Sequence, residues 1–179
     1  MPSPRALLIM LAIILLIVSP FVVFFLPLIY ILTFFDTPEQ IVAHPNTKNY
    51  IYAFSACAII IVAIILAAIR QNKSMIALSV TLGLAGCALF FTSIFGYTYI
   101  GTDKIVVKEI LKKTTLEWED IHDIVLEYDE DGYETYTFTK NDKTAIQIPV
   151  TRQYQDGAKS EIYALATDYH IAFEERKGR

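Results

Sequence analysis

The chain begins with three long runs of apolar residues and then changes to short alternating ones. Positions 6–35, 51–69 and 75–95 carry no charged side chain. A helix rises 1.5 Å per residue and the hydrocarbon core of a bilayer is about 30 Å thick, so about 20 apolar residues suffice to cross it. Each run is therefore predicted to be a transmembrane helix. The first is longer than an upright helix needs, and Pro20 and Pro27 lie within it. Each proline removes a backbone donor and crowds the preceding turn, which predicts a kink or unwinding there. Tilt, or an end lying in the interface, absorbs the remaining length. A hairpin folding back at Ser19-Pro20 is the alternative, with two very short arms. Arg5 ahead of an apolar run resembles the start of a signal peptide. No small-x-small cleavage site follows Val18 and the run continues, so an uncleaved signal anchor is expected.

The linker at 70–74 is short enough to predict a tight helical hairpin between the second and third spans. Small residues recur every four positions: Ala53 with Cys57, Ala63 with Ala67, Ser79 with Gly83, and Gly83 with Cys87. Such rows let helix backbones approach closely, within this bundle or across a homodimer seam. No ionisable residue lies inside a span, which argues against a proton relay, an ion pathway or a transporter site.

From Tyr97 onward the period is two, the signature of strands. Strands are predicted at 97–100, 105–111 and 114–118. Ile124, Leu126 and Tyr128 alternate in a fourth, and Asp131-Gly132 signals a hairpin. Tyr136 and Phe138 alternate with Thr135, Thr137 and Thr139 in the fifth. Asn141-Asp142 marks a turn, and Ile146, Ile148 and Val150 form the sixth, with Pro149 at an edge or a strand end. After Asp156-Gly157 the spacing of Ile162, Leu165, Ala166 and Tyr169 becomes helical, with Asp156 or Ser160 as the cap. The expected fold is a three-helix membrane anchor (1–96) and a small α+β domain (97–173). That domain has six antiparallel strands and one C-terminal helix covering the sheet, and 174–179 form a frayed tail.

Composition sharpens this division. Of the 179 residues 54% are hydrophobic, and the mean hydropathy is +0.43. Before Tyr97 the charged residues are Arg5, Asp36, Glu39, Lys48, Arg70 and Lys73; the rest follow it. Such asymmetry means lipid for the first half and water for the second. The formal net charge of −4 is the wrong sign for a nucleic-acid partner. Cys57 and Cys87 both fall inside spans, where they read as small packing residues. Arg5, Arg70 and Lys73 favour a cytoplasmic N-terminus and hairpin. Three spans then leave the C-terminal domain outside, although Lys104, Lys108, Lys112 and Lys113 count the other way. Local counting favours an extracytoplasmic domain on a multi-pass protein of the cell membrane.

Three stretches carry a resemblance: Tyr99-Ile100-Gly101-Thr102-Asp103-Lys104-Ile105, Leu116-Glu117-Trp118-Glu119-Asp120-Ile121, and Ile146-Gln147-Ile148-Pro149 ahead of the helix. Together they resemble the bacterial pleckstrin-homology-like membrane proteins of the YcxB-like family, over about the last 80 residues. The resemblance implies a bacterial source, a pleckstrin-homology-like sheet and a membrane tether, and supplies no catalytic residues. The chain departs from the family in having Val150-Thr151 before Arg152 after the proline, and three spans where two are expected. The third span puts the family's cytoplasmic placement in doubt.

Trp118, Asp120, Ile121 and Pro149 are read as structural: a buried ring, a carboxylate bonding free backbone amides at a bend, an apolar residue one turn on, and an edge proline. From Glu117 to Glu134 inclusive there are nine acids and no lysine or arginine. Glu127, Asp129, Asp131 and Gly132 mimic the start of a calcium loop, but Phe138 stands where the bidentate glutamate belongs. The ordinary reading is a solvated acidic edge that deters aggregation. Glu127, Asp129, Glu130 and Asp131 could also face a basic partner. Lys104, Lys108, Lys112 and Lys113 are the candidates for anionic headgroups. His44, His122 and His170 are scattered, and no phosphate loop or Ser-His-Asp spacing exists, so no metal, cofactor or catalysis is expected. The expected role is a membrane-anchored binding module at the bilayer surface, with headgroups or another membrane protein as partner. The alternative is self-protection of the envelope, an acidic domain intercepting membrane-active cationic peptides.

Overall fold

The structure, a computed structural model, describes residues 3–69, 72–128, 134–150 and 157–177. It divides into two compact units. One holds residues 1–33, 45–96 and 109–112, and the other 34–44, 97–108 and 113–179.

The first unit is built from α1 (Pro4–Phe34), α2 (Thr47–Ile69) and α3 (Lys73–Ile94). All three are long and apolar enough to cross a membrane. Helix α1 is one continuous helix through Pro20 and Pro27, so neither the expected unwinding nor the hairpin at Ser19-Pro20 occurs. Pro20 leaves the Leu16 carbonyl without its helical donor, and the Ser19 hydroxyl donates to that carbonyl at 3.4 Å. The side chains that α1 buries are Ala12, Ser19, Val23, Pro27 and Ile31, a narrow stripe. Phe24 meets Tyr50 and Phe54 of α2, with ring centroids 5.4 and 5.7 Å apart. Helix α3 is capped by Asn72, whose Oδ1 accepts from Met75 N at 2.9 Å.

Of the small residues that four-residue spacing suggests, Ala53, Ala63 and Ser79 are buried, and others outside those rows join them. Asn49, Ala53, Ala56, Ala63 and Ala68 are buried on α2, and Ser79, Gly86, Ser93 and Ile94 on α3; within these, Asn49, Ala56 and Ala63, and Ser79, Gly86 and Ser93, recur at a spacing of seven. Seven-residue rows keep one seam in register along two helices. Gly86 sits at the closest approach: a Cβ there would lie 2.7 Å from Ile60 Cγ1 and 3.2 Å from the Ala56 carbonyl. A Cβ on Gly83 would meet nothing within 4 Å, and Cys87 is exposed. We expect Gly86→Leu to cost about 1–3 kcal/mol through overpacking, and Gly83→Leu far less. Thermal unfolding of the two variants in detergent checks this, and equal losses would refute the seam.

The second unit carries the strands. Its elements are β1 (Gln40–Pro45), β2 (Tyr97–Gly101), β3 (Lys104–Lys108), β4 (Lys113–Glu117), a 3₁₀ turn at Trp118–Asp120, β5 (Ile121–Tyr128), β6 (Glu134–Lys140), β7 (Ala145–Pro149), α4 (Ala158–Asp168) and β8 (Ala172–Lys177). They form two four-stranded sheets, ordered β1-β2-β3-β4 and β7-β6-β5-β8. A helix-plus-sheet class therefore holds, with three corrections. The linker between the first two spans contributes β1, so the domain starts before Tyr97. The helix is not terminal, because α4 crosses over to β8, which runs parallel to β5 from Asp123↔Ala172 to Tyr128↔Lys177. Residues 174–177, expected in a tail, belong to that strand.

One core joins both sheets and α4. Ile41 and Val42 enter it from β1, with Ile100, Leu116, Trp118, Leu126, Phe138, Ile148 and Ile162 from the other elements. The predicted alternation holds in β6, where Tyr136 and Phe138 are buried between threonines. Burial also pushes the Tyr136 hydroxyl up to about 12. The turn at Asn141-Asp142 forms as expected, with Asp142 Oδ1 accepting from Thr144 N at 2.8 Å. Pro149 ends the edge strand β7, where a missing donor costs no ladder bond. Helix α4 begins after Gly157 at φ 112°, and Ser160 lies inside the helix, so it is not the cap; Asp156 lies outside the described residues.

Candidate functional site

The β3–β4 hairpin gathers three of the four candidate lysines. Lys108, the last residue of β3, stands opposite Lys113, the first of β4. Lys112 precedes Lys113 in the connection at 109–112, which Glu109 N closes by donating to the Lys112 carbonyl at 2.7 Å. At its tip lie Ile110, half-buried, and Leu111, 96% exposed. Lys104 is at the other end of β3, opposite Glu117 and 2.7 Å from Asp103 Oδ2. Its charge is already met, so it separates from the other three.

The connection 109–112 groups with the helices of the first unit. There it borders an open cleft of about 410 Å³, shared with Lys48, Asn49 and Tyr52 of α2 and Leu89 of α3. Glu109 Oε1 lies 3.4 Å from Lys48 Nζ, an exposed pair worth little on its own. Asn46 opens α2, its Oδ1 accepting from Lys48 N at 3.1 Å, and the positive end of the helix dipole falls at this turn.

Asn49 is the buried polar group of the cleft, at 4% exposure. Its Nδ2 donates to the Ser93 carbonyl at 3.0 Å, which fixes the amide orientation because a carbonyl can only accept and the amide donates only through its nitrogen. Gly96 makes room for it: a Cβ there would fall 1.2 Å from Asn49 Nδ2. Asn49 Oδ1 is left buried with no hydrogen-bond partner among the described residues. An unmade buried acceptor costs about 1–3 kcal/mol. Nothing in the charge pattern marked Asn49; the available signal was an amide in the first turn of a long apolar helix.

The acidic candidates fare differently. Glu127 of β5 accepts from Arg176 of β8, through Nε at 2.8 Å and also through Nη2. Beside it, Glu175 accepts from the Tyr128 hydroxyl at 2.9 Å and pairs with Lys159 at 3.0 Å. The Lys159 bond, with that of Tyr128, holds the Glu175 carboxyl below its ordinary value. Asp129, Glu130 and Asp131 lie outside the described residues. Glu127 is thus committed to holding β8 onto β5. Among the described residues no three His, Cys, Asp or Glu side chains converge on a metal position.

Of the structural candidates, Trp118 is buried at the corner between β4 and β5, and its Nε1 donates to the Gly101 carbonyl at 2.9 Å. Ile121 joins the same core. Asp120 acts differently from the amide-binding role expected: its carboxylate lies 3.5 Å from Lys140 Nζ, and its carbonyl accepts from Asn141 N at 3.0 Å.

No family model matches the chain, and no curated protein matches it. Among solved structures, a chain of the Spt16D Pob3N heterodimer aligns at 14% identity with a TM-score of 0.35, covering 47% of each chain. The protein therefore spans about half the length of that chain.

Proposed function

We propose that this protein is a membrane-anchored binding module of pleckstrin-homology-like form, which engages bilayer headgroups through its β3–β4 hairpin. The observation that carries the reading is an apolar tip, Ile110-Leu111, bracketed by Lys108, Lys112 and Lys113. Like charges directly opposite in a ladder are unfavourable alone. An anionic headgroup layer offsets that repulsion, by about 1 kcal/mol for each lysine near the surface. Aliphatic residues at such a tip suit the acyl boundary while ammonium groups stay at phosphate depth. The pleckstrin-homology-like form draws support from the consecutive orders β1-β2-β3-β4 and β7-β6-β5 followed by α4, with β8 an addition.

The connectivity also supports a side for the β domain. Helices α1 and α3 both run at their C-terminal ends into strands of one sheet. In a membrane crossed three times, Arg5 before the first span and Lys73 before the third would lie on the side opposite the residues that follow α3. Positive charge favours the cytoplasm, which supports an extracytoplasmic β domain. Interception of cationic peptides draws less support, because Glu127 and Glu175 are already paired with Arg176 and Lys159.

The test uses the full chain in nanodiscs, with Cys57→Ala and Cys87→Ala, and an environment-sensitive fluorophore on Leu111→Cys. Brominated lipid is expected to quench the probe, more so as phosphatidylglycerol replaces phosphatidylcholine. Adding Lys108→Gln, Lys112→Gln and Lys113→Gln should remove that dependence. A probe in water at every lipid composition would overturn the reading.

A further inference from the structure

Resting on the membrane anchor of that reading but not on its hairpin, we propose that the N-terminal arm of α1 swings about Ser19-Pro20 to match the thickness of the bilayer, while the rest of the helix stays fixed. Helix α1 has 31 residues, α2 has 23 and α3 has 22. At 1.5 Å per residue these are lengths of about 46, 35 and 33 Å, against a hydrocarbon core of about 30 Å. Helices α2 and α3 fit an upright crossing. The excess of α1 has to be absorbed by tilt or bending, to an extent set by the local bilayer thickness.

Packing decides which part of α1 can move. The C-terminal half is held by aromatic contacts at three levels. Phe24 meets Tyr50 and Phe54, and Tyr30 meets Phe95 with ring centroids 5.2 Å apart. Phe35, the residue directly after the helix, lies 4.3 Å from Tyr97 and 5.6 Å from Tyr99 between ring centroids. Val23, Pro27 and Ile31 are buried along the same half. From Pro4 to Val18, by contrast, Ala12 is the one buried residue, and no aromatic side chain occurs before Phe21. Pro20 stands at the boundary and is exposed. It offers the Leu16 carbonyl no backbone donor, and the Ser19 hydroxyl that replaces one is 3.4 Å away, longer than an ordinary hydroxyl bond. Helices bend sharply at such positions. Pro27 carries the same defect, but it is buried between Val23 and Ile31, so the soft point is Pro20. The arm beyond it is about 24 Å long, and a tilt change of about 20° moves its end by about 8 Å. The aromatic contacts that lead into the strands are spared that movement.

The test uses the full chain with Cys57→Ala and Cys87→Ala, in nanodiscs of dimyristoyl- or dierucoyl-phosphatidylcholine, a thin and a thick bilayer of one headgroup. Spin labels on Leu7→Cys and Ile69→Cys, both exposed, report the arm against the far end of α2. Labels on Ile29→Cys and Ile51→Cys, also exposed, report the held half. Pulsed electron paramagnetic resonance is expected to show the first distance changing by about 5 Å between the two bilayers and the second by about 1 Å or less. Pro20→Ala restores the donor to Leu16, so it should reduce the change in the first distance by at least about half. Pro27→Ala should leave that change intact. A first distance that is the same in both bilayers, an equal change in both pairs, or a change that survives Pro20→Ala overturns the hinge. Failure of the chain to enter nanodiscs sinks the anchor itself, and with it the hinge. The Leu111 probe stands apart: no lipid response there, with the arm still moving, sinks only the hairpin reading.

Discussion

Val42→Asp is expected to unfold the β domain, although residue 42 lies in the linker between the long apolar helices α1 and α2. Val42 is 2% exposed and belongs, with Ile41, to the core formed by Ile100, Leu116 and Trp118. A carboxylate at that position finds no paired cation, so it is either desolvated or forced to protonate. The cost is about 4 kcal/mol or more, against a total stability of about 5–15 kcal/mol for a domain. Val42→Ala removes only the side-chain burial, about 1.5–3 kcal/mol. The same logic governs the fragment 97–179, which lacks β1. Its β2 would become a bare edge beside an open core, and such edges aggregate. Limited proteolysis of the full chain in detergent reads the result: Val42→Asp should expose sites throughout residues 97–177, and Val42→Ala should not. A Val42→Asp protein as resistant as the native one would mean that β1 is dispensable.

The features legible in the sequence were those whose cause is local. A charge-free run longer than the bilayer core needs no partner to be read, and neither does the alternation of Tyr136 and Phe138 between threonines. Trp118 stood out by size. The missed elements have distant causes. Strand β1 is six residues long with Ile41 and Val42 adjacent rather than alternating, and its partner β2 lies beyond two helices. Strand β8 reads as a solvated tail because it carries Glu174, Glu175, Arg176 and Lys177. Those charges make sense only beside β5 and α4, where Glu127, Tyr128 and Lys159 meet them. The α2–α3 seam was legible only in part, for a related reason. Small side chains lie on more than one face of these helices, and only contact with the partner helix singles out Gly86, which belongs to none of the four-residue rows. The cleft combines both problems: its lysines were visible as charge, but Asn49 becomes informative only once Ser93 is seen to satisfy half of its amide.

Trp118→Ala should lower the stability of the β domain by about 3–5 kcal/mol, the range for removing a buried aromatic ring. The ring is 1% exposed, sits 6.4 Å from Phe138 at 82° in an edge-to-face arrangement, and fills the corner where β4 passes to β5. Its Nε1 also satisfies the Gly101 carbonyl, and Gly101 is buried. Truncation therefore leaves both a cavity and an orphan acceptor. Trp118→Phe separates the two effects, since it keeps most of the ring and loses the donor; about 1–3 kcal/mol is expected for that step. A domain of this size loses about 4–8 °C of Tm per kcal/mol, so the alanine variant should melt well over 10 °C lower and the phenylalanine variant between it and the native protein. The hairpin lysines predict the complementary pattern. Lys108→Gln, Lys112→Gln and Lys113→Gln together should leave Tm nearly unchanged, or raise it slightly by relieving the Lys108–Lys113 repulsion, while abolishing the lipid response at Leu111. If instead Trp118→Ala melted like the native chain yet lost lipid binding, Trp118 would be a recognition residue, and the division between a folding corner and a binding hairpin would fall.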